Sequence, residues 1–253
     1  MRLQVSGLTV CRGGREIVRD VDFTVNDGEW LMLVGLNGAG KSTILRAVSG
    51  AIPCEGTVLL DGEDVRRMKP VRRALRLGML EAGSTSAYAF TVRQIVEMGR
   101  YAHGGGLTGR GDPEGAAHVD EALRLTGLET MQHHSMLTLS SGERQRAFLA
   151  QVLCQDPVLL LLDEPASHLD LSYAKQLYEL VDAWRRQPGR AVISVVHDLS
   201  AARCFGTHAL LLDAGRVRAF GTVNDVLTDE ALAGAWHMDV AAWMRQLTAV
   251  WQK

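Results

Sequence analysis

Gly35-Leu36-Asn37-Gly38-Ala39-Gly40-Lys41-Ser42-Thr43 stands between the apolar run Trp30-Leu31-Met32-Leu33-Val34 and the run Ile44-Leu45-Arg46-Ala47-Val48. The order reads as buried strand, glycine loop and amphipathic helix, and the spacing G-x-x-x-x-G-K-S is that of a phosphate-binding loop. Glycines let successive backbone N–H groups curl inward around a polyphosphate, and the helix N-terminus adds the positive end of its dipole. The cradle is the backbone from Gly35 through Asn37, Gly38, Ala39 and Gly40 to Thr43. Lys41 is placed to reach the β- and γ-phosphates, and the Ser42 hydroxyl to ligate the magnesium ion that accompanies the nucleotide. A turn that only joined a strand to a helix would need neither the lysine nor the hydroxyl directly after the last glycine.

The 253 residues, 47% hydrophobic and 22% charged, fit one large α/β domain or a core with a subdomain. A formal net charge of −2 carries no general attraction toward nucleic acid or anionic lipid. Cys11, Cys54, Cys154 and Cys204 are far apart and form no C-x-x-C pair, so they suggest neither a zinc site nor a disulfide framework, and a reduced cytosolic compartment is the simplest expectation. Apolar runs such as 158–162 are far short of the roughly 20 residues that span a bilayer, and the N-terminus lacks a signal-peptide pattern. Any membrane role is expected to be peripheral.

Upstream of the loop, residues 3–25 alternate apolar and polar positions around Gly13-Gly14, an antiparallel meander. Downstream, Thr57-Val58-Leu59-Leu60 and the turn Asp61-Gly62 extend the β-rich part to about residue 65. The arginine-rich stretch 66–76 predicts a helix with a solvated basic face and Leu, Val and Met on a buried side. From Thr91 the pattern turns helical, with a long flexible loop over Gly104-Gly105-Gly106 and 109–115 and a new helix after Asp112-Pro113-Glu114. This helical insertion ends at Leu139-Ser140-Ser141-Gly142-Glu143, where Ser140 or Ser141 can cap the following helix. The run 158–162 is a strand buried on both faces and ends in Asp163-Glu164. Two carboxylates at that end are costly unless used, and in an open α/β sheet that edge is where ligands bind. Asp163 is suited to hold magnesium and Glu164 to polarise the attacking water. A helix over 171–185 and the strand 191–196 follow, and His197 repeats the strand-end placement, with a core histidine satisfied by Asp198 as the alternative. The chain closes with a hairpin around Asp213-Ala214-Gly215-Arg216 and a helical tail whose Trp236, Trp243 and Trp251 read as packing residues.

With the phosphate loop, Leu139-Ser140-Ser141-Gly142-Glu143, the segment 159–164, Ser167-His168-Leu169-Asp170 and His197 in this order, nearly the whole chain resembles the ATP-binding cassette proteins, the nucleotide-binding subunits of ABC transporters. The resemblance implies a P-loop NTPase cassette of α/β class. Its RecA-like core and antiparallel β-subdomain would take residues 1–80 and 156–225, a helical signature subdomain about 83–155, and a helical tail about 226–253. Two subunits of that family pair head to tail, so ATP would lie between the phosphate loop of one copy and Ser140, Ser141, Gly142 and Glu143 of the other, with Asp170 in the adjoining D-loop. Glu164 would be the catalytic base and His197 the switch histidine holding the γ-phosphate. Ser167-His168-Leu169-Asp170-Leu171, Gly99-Arg100-Tyr101 and the tail 232–240 are most similar to importers of iron–siderophore, haem and cobalamin. That similarity implies integral-membrane permeases and a substrate-binding protein as partners, a place on the cytoplasmic face of the inner membrane, and no role for nucleic acid. A soluble ABC switch and a weakly hydrolysing nucleotide-binding module are the alternatives.

Three positions depart from the family pattern. The glutamine expected near residue 80 falls on Ala82, with Glu81 beside it; either Glu81 serves as an oxygen ligand of the metal or the contact is missing. The aromatic platform for adenine is replaced by Cys11-Arg12; the Arg12 plane can stack on a base, or Arg12 is an exposed loop arginine. Ser141 stands where the family prefers glycine, close to the expected phosphate.

Overall fold

The computed structural model describes residues 2–84, 88–104, 111–167 and 169–251. Among the described residues ten strands form two sheets: β1 (Leu3–Arg12), β2 (Arg15–Val25), β3 (Trp30–Gly35), β4 (Glu55–Leu60), β5 (Glu63–Asp64), β6 (Leu77–Leu80), β7 (Leu159–Asp163), β8 (Ala191–Val195), β9 (His208–Asp213) and β10 (Arg216–Thr222). The first sheet is antiparallel in the order β2-β1-β4-β5. Its lead hairpin turns on Gly13 and Gly14, whose φ of 57° and 75° match the twist of a two-residue turn. The second sheet runs β10-β9-β3-β8-β7-β6 and is parallel except for β10. Every residue of β3, β7 and β8 is buried, as expected of parallel strands covered on both faces.

Alternation along those strands divides the core in two. Leu31, Leu33, Leu159, Leu161 and Ile193 face the first sheet and helix α1 (Lys41–Val48), while Met32, Val34, Leu160, Leu162 and Val192 face the opposite layer. After the short α2 (Pro70–Ala74), the helices α3 (Val92–Met98), α4 (Gly115–Leu125) and α5 (Ser141–Cys154) enclose a separate cluster around Val96, Leu123, Leu128 and Ala147. Beyond β7 lie α6 (Leu171–Arg185), α7 (Leu199–Phe205), α8 (Val223–Val226), α9 (Asp229–Trp236) and α10 (Val240–Ala249). The glycine-rich loop expected over 104–115 lies partly, at 105–110, outside the described residues.

Two expectations need correction. The stretch 66–76 holds only the five-residue α2, and none of that helix is buried. Lys69 precedes a proline and stays extended, so the helix starts at Pro70. The arginines are engaged instead: Arg66 with Asp64 at 2.8 Å, Arg72 with Glu63 at 2.6 Å, and Arg76 with Asp61. Of the three tail tryptophans only Trp236 packs against the core; Trp243 is 47% and Trp251 87% exposed. The reason is position, since α10 is an outer helix that buries only Val240.

Candidate nucleotide site

The C-terminal ends of β3, β7 and β8 meet at one edge of the parallel sheet, around a cleft of ≈ 650 Å³. Asn37, Gly38, Gly40, Lys41, Ser42 and Thr43 line it from the loop side. Glycine is required at both ends of the loop. At Gly35 (φ 148°) a Cβ would collide with the Leu212 carbonyl of β9, and at Gly40 (φ 101°) it would lie 3.1 Å from both the Ile17 carbonyl and Val18 Cγ2 of β2. The loop is therefore clamped between the two sheets. Ala39 is 4% exposed and packs into the core, so it shapes the loop through its backbone.

Lys41 Nζ donates to the carbonyls of Gly35 at 2.8 Å and Leu36 at 3.0 Å, folded back on its own loop. Burial lowers its pKa, and the charges of Glu164 and Asp163 oppose that shift. Ser42 Oγ donates to Asp163 Oδ1 at 2.8 Å. Burial holds the Asp163 carboxyl above the usual range, with the Ser42 hydrogen bond acting the other way and the neighbouring Glu164 charge adding to the rise. A hydroxyl and a buried carboxylate, two hard oxygen donors 2.8 Å apart, fit a divalent cation. Glu164 follows at φ 52°, an uncommon conformation for a residue with a side chain. Its Oε1 lies 2.7 Å from His197 Nε2, and both residues line the cleft. His197 thus pairs with Glu164 across the strand ends, whereas Asp198 caps α7 by accepting from the N–H groups of Ser200 and Ala201.

The remaining residues read from the sequence lie elsewhere. Ser140 and Glu143 form a reciprocal capping box on α5: Ser140 Oγ accepts from Glu143 N at 3.3 Å, and Glu143 Oε2 accepts from Ser140 N at 2.8 Å. Those contacts lower the Glu143 pKa. Ser141 and Gly142 are the first two residues of the helix, and none of the four lines the cleft of its own chain. Asp170 caps α6 by accepting from Tyr173 N at 2.9 Å, and His168 lies outside the described residues. Glu81, just past β6, pairs with Arg46 of α1 at 3.2 Å, and both charges act on Asp163. Ala82 is exposed in the turn. Arg12 is exposed at the end of β1, opposite Arg15, and is not part of the cleft wall.

Ile17 lines the cleft, and sequence reasoning missed it: a bulge in the β1–β2 ladder brings it beside Val18 toward the loop, which period-two alternation does not reveal. Gln145 and Arg146 were also missed. Gln145 Nε2 donates to the Pro165 carbonyl at 3.3 Å, one residue past Glu164. Arg146 donates to the Thr126 carbonyl at 3.2 Å and stacks 4.0 Å over Tyr173. Both read as polar helix positions, and only tertiary contact makes them buried links from α5 to the core.

Residues 18–167 match the family model for ABC transporters. The chain is 38% identical over 242 residues to the cobalamin import ATP-binding protein BtuD of Halobacterium salinarum (strain ATCC 29341 / DSM 671 / R1), covering 95% of this chain but 60% of that protein. It therefore spans 60% of that relative's length, under two thirds of it. It is 39% identical over 231 residues to the hemin import ATP-binding protein HmuV of Rhodococcus jostii (strain RHA1), covering 91% of this chain and 78% of that one. Among solved structures it resembles an inward-facing transporter assigned to the metal-chelate ABC type, with a TM-score of 0.80 at 25% identity over 93% of this chain and 89% of the other. By the family match, by these relatives and by the clamped phosphate loop with its facing carboxylates, the chain belongs to the ABC transporter family of ATP-binding proteins.

Proposed function

We propose that the chain is the ATP-hydrolysing subunit of an importer of a metal chelate of the iron–siderophore, haem or cobalamin class. It works as a head-to-tail homodimer at the cytoplasmic face of the cell membrane, under an integral-membrane permease that a substrate-binding protein supplies. The observation that carries this reading is the meeting of Lys41, Ser42, Asp163, Glu164 and His197, from three separate segments, on one cleft. The names of the relatives support the metal-chelate class. No helix among the described residues is long and apolar enough to cross a membrane, which fits a peripheral subunit.

Ser42 and Asp163 would hold Mg2+, which when bound neutralises charge on the β- and γ-phosphate oxygens. Lys41 leaves its loop carbonyls for the phosphates as nucleotide enters. Glu164 accepts the proton of the attacking water, and His197, whose Nε2 lies 2.7 Å from Glu164 Oε1 in the nucleotide-free chain, would turn that nitrogen to the γ-phosphate. Ser140 and the Gly142 N–H of the second copy complete the site, so ATP binding favours the closed dimer and hydrolysis releases it. In the open chain the Ser140 hydroxyl is occupied by Glu143, and it must turn from that carboxylate to the phosphate.

A second reading, a nucleotide-gated switch with weak turnover, rests on Ala82 and the Glu81–Arg46 pair at the glutamine's place. Glu164→Gln tests the main reading: with Mg2+ and ATP it is expected to elute as a dimer and to lose at least about a hundredfold in turnover. A Glu164→Gln protein that stays monomeric under ATP, or a wild type whose hydrolysis the permease leaves at background, would overturn it.

A further inference from the structure

Helix α5 packs on two cores at once. Leu149, Val152 and Leu153 join the cluster that holds Leu160 and Leu162 of β7, while Ala147, Ala150 and Cys154 join the helical cluster. In its first half Gln145, 5% exposed, donates its side-chain amide to the Pro165 carbonyl at 3.3 Å. A buried amide is costly unless it is bonded, and the partner that meets this cost is the residue directly after Glu164.

Glu164 sits in a backbone conformation that its own sequence disfavours. Its φ of 52° is left-handed, and the proline that follows pushes the preceding residue toward extended backbone. Such a residue persists only where its surroundings over-determine it. Three groups hold this turn among the described residues. The Glu164 N–H donates to the Val195 carbonyl at 3.2 Å, one step past the β7–β8 ladder. The Glu164 carbonyl accepts from the Ser167 N–H at 3.0 Å and from the Ser167 hydroxyl at 2.8 Å, which closes the turn on itself. The third group is Gln145, which reaches the turn from α5.

Pro165 is buried and has no N–H, so its carbonyl is the one main-chain group through which this position can be fixed. With the Gln145 bond lost, the turn is free to relax toward the extended form, and the Glu164 carboxylate moves with it. A general base works only within hydrogen-bond reach of the proton it takes, and small misplacements are costly. We propose that Gln145 is a positioning residue for the base: its amide keeps the Glu164-Pro165 turn left-handed, with the carboxylate on the cleft. The inference rests on the hydrolytic reading above, in which Glu164 is the base, and adds to it what holds that base in place. It also gives α5 a second duty, since the helix that begins with the segment 140–143 ends its second turn as a strut behind Glu164.

The test is ATP hydrolysis by the full chain with Mg2+, in four proteins: wild type, Gln145→Met, Glu164→Gln and the double variant. Gln145→Met keeps the length and apolar stem of the side chain and removes the donor. It is expected to lower kcat by about tenfold and to leave KM for ATP within about twofold of wild type. In the Glu164→Gln background no base remains to be positioned, so the same substitution is expected to cost less than about twofold more. Equal losses in the two backgrounds would overturn the proposal, because Gln145 would then act by some route other than Glu164. A KM raised as far as kcat falls would also overturn it, as would wild-type kcat in a folded Gln145→Met protein. If Gln145→Met does not fold, Gln145→Glu, assayed at alkaline pH where its carboxylate presents no donor, takes its place in both backgrounds with the same expected outcomes. Glu164→Gln alone reports on the underlying reading: hydrolysis as fast as wild type would remove Glu164 as the base, and its positioning residue with it.

Discussion

Asp163 is 2% exposed, and burial raises its carboxyl pKa against the pull of the Ser42 hydroxyl. The folded chain therefore binds this proton more tightly than the unfolded chain does. Its stabilising contribution is fully present below the ordinary carboxylate value and is lost as pH rises through the raised one, so at neutral pH the ionised group is a net cost. Asp163→Asn removes the charge and keeps an oxygen for Ser42. It is expected to raise the Tm of the nucleotide-free protein, by a margin worth about 1 kcal/mol, and to cut Mg2+-dependent hydrolysis by at least about a hundredfold. Scanning calorimetry in chelator at pH 7 checks the first half; a Tm below wild type would mean that the carboxylate, not its loss, stabilises the fold. The residue types at this site were legible because their chemistry is placed by motif: lysine and hydroxyl after the last glycine, paired acids after an all-apolar strand. Arg46 was not legible as a partner, because a basic position on an amphipathic helix looks the same whether it faces water or, as here, Glu81.

Helix α5 is held at both ends by side chains from other places in the sequence. Its N-terminus carries the Ser140–Glu143 box, and its C-terminal carbonyls at Cys154 and Gln155 are met by Arg100 Nη1 at 3.1 Å and His103 Nε2 at 2.8 Å. This arrangement gives Gly99-Arg100-Tyr101 a physical role, since Gly99 must let α3 close onto α5 before Arg100 and His103 can reach. A Cβ at Gly99 would collide with the Gln151 carbonyl, although its φ is ordinary. Gly99→Ala is thus expected to destabilise by about 2 kcal/mol in urea titration. Gly221→Ala, whose added Cβ would make only a 3.6 Å contact with Val226, is expected to stay within about 0.5 kcal/mol of wild type. Equal midpoints for the two variants would refute the close approach. Elements with a strong period or a uniform apolar run, such as α6, β7 and β8, could be placed from sequence to within a residue or two. The arginine-rich stretch could not, because its charges answer acids on β5 and in the turn before it, contacts that leave no periodicity.

At the scale of the molecule, the phosphate loop and the segment 140–143 belong to different layers: one is clamped between the sheets, the other begins the helix that closes the helical cluster. Sequence order could list both as nucleotide-binding, but distance within one chain cannot unite them, since the cleft is walled by the loop, Glu164 and His197 and none of the four segment residues reaches it. Either the segment is a helix cap and nothing more, or a second copy supplies it. Two inactive variants decide between these. Lys41→Ala spoils the loop and leaves the cap intact; Gly142→Asp sets a carboxylate among the first N–H groups of α5 and leaves the loop intact. If each site combines one loop with the other copy's segment, every mixed dimer has one site with both defects and one with neither. An equimolar mixture, in which half the dimers are mixed, is expected to recover up to about a quarter of wild-type hydrolysis, although each variant alone is near background. A mixture no more active than its parts, with mixed dimers demonstrated by differential tagging, would leave 140–143 as a helix cap and return the whole nucleotide site to a single chain.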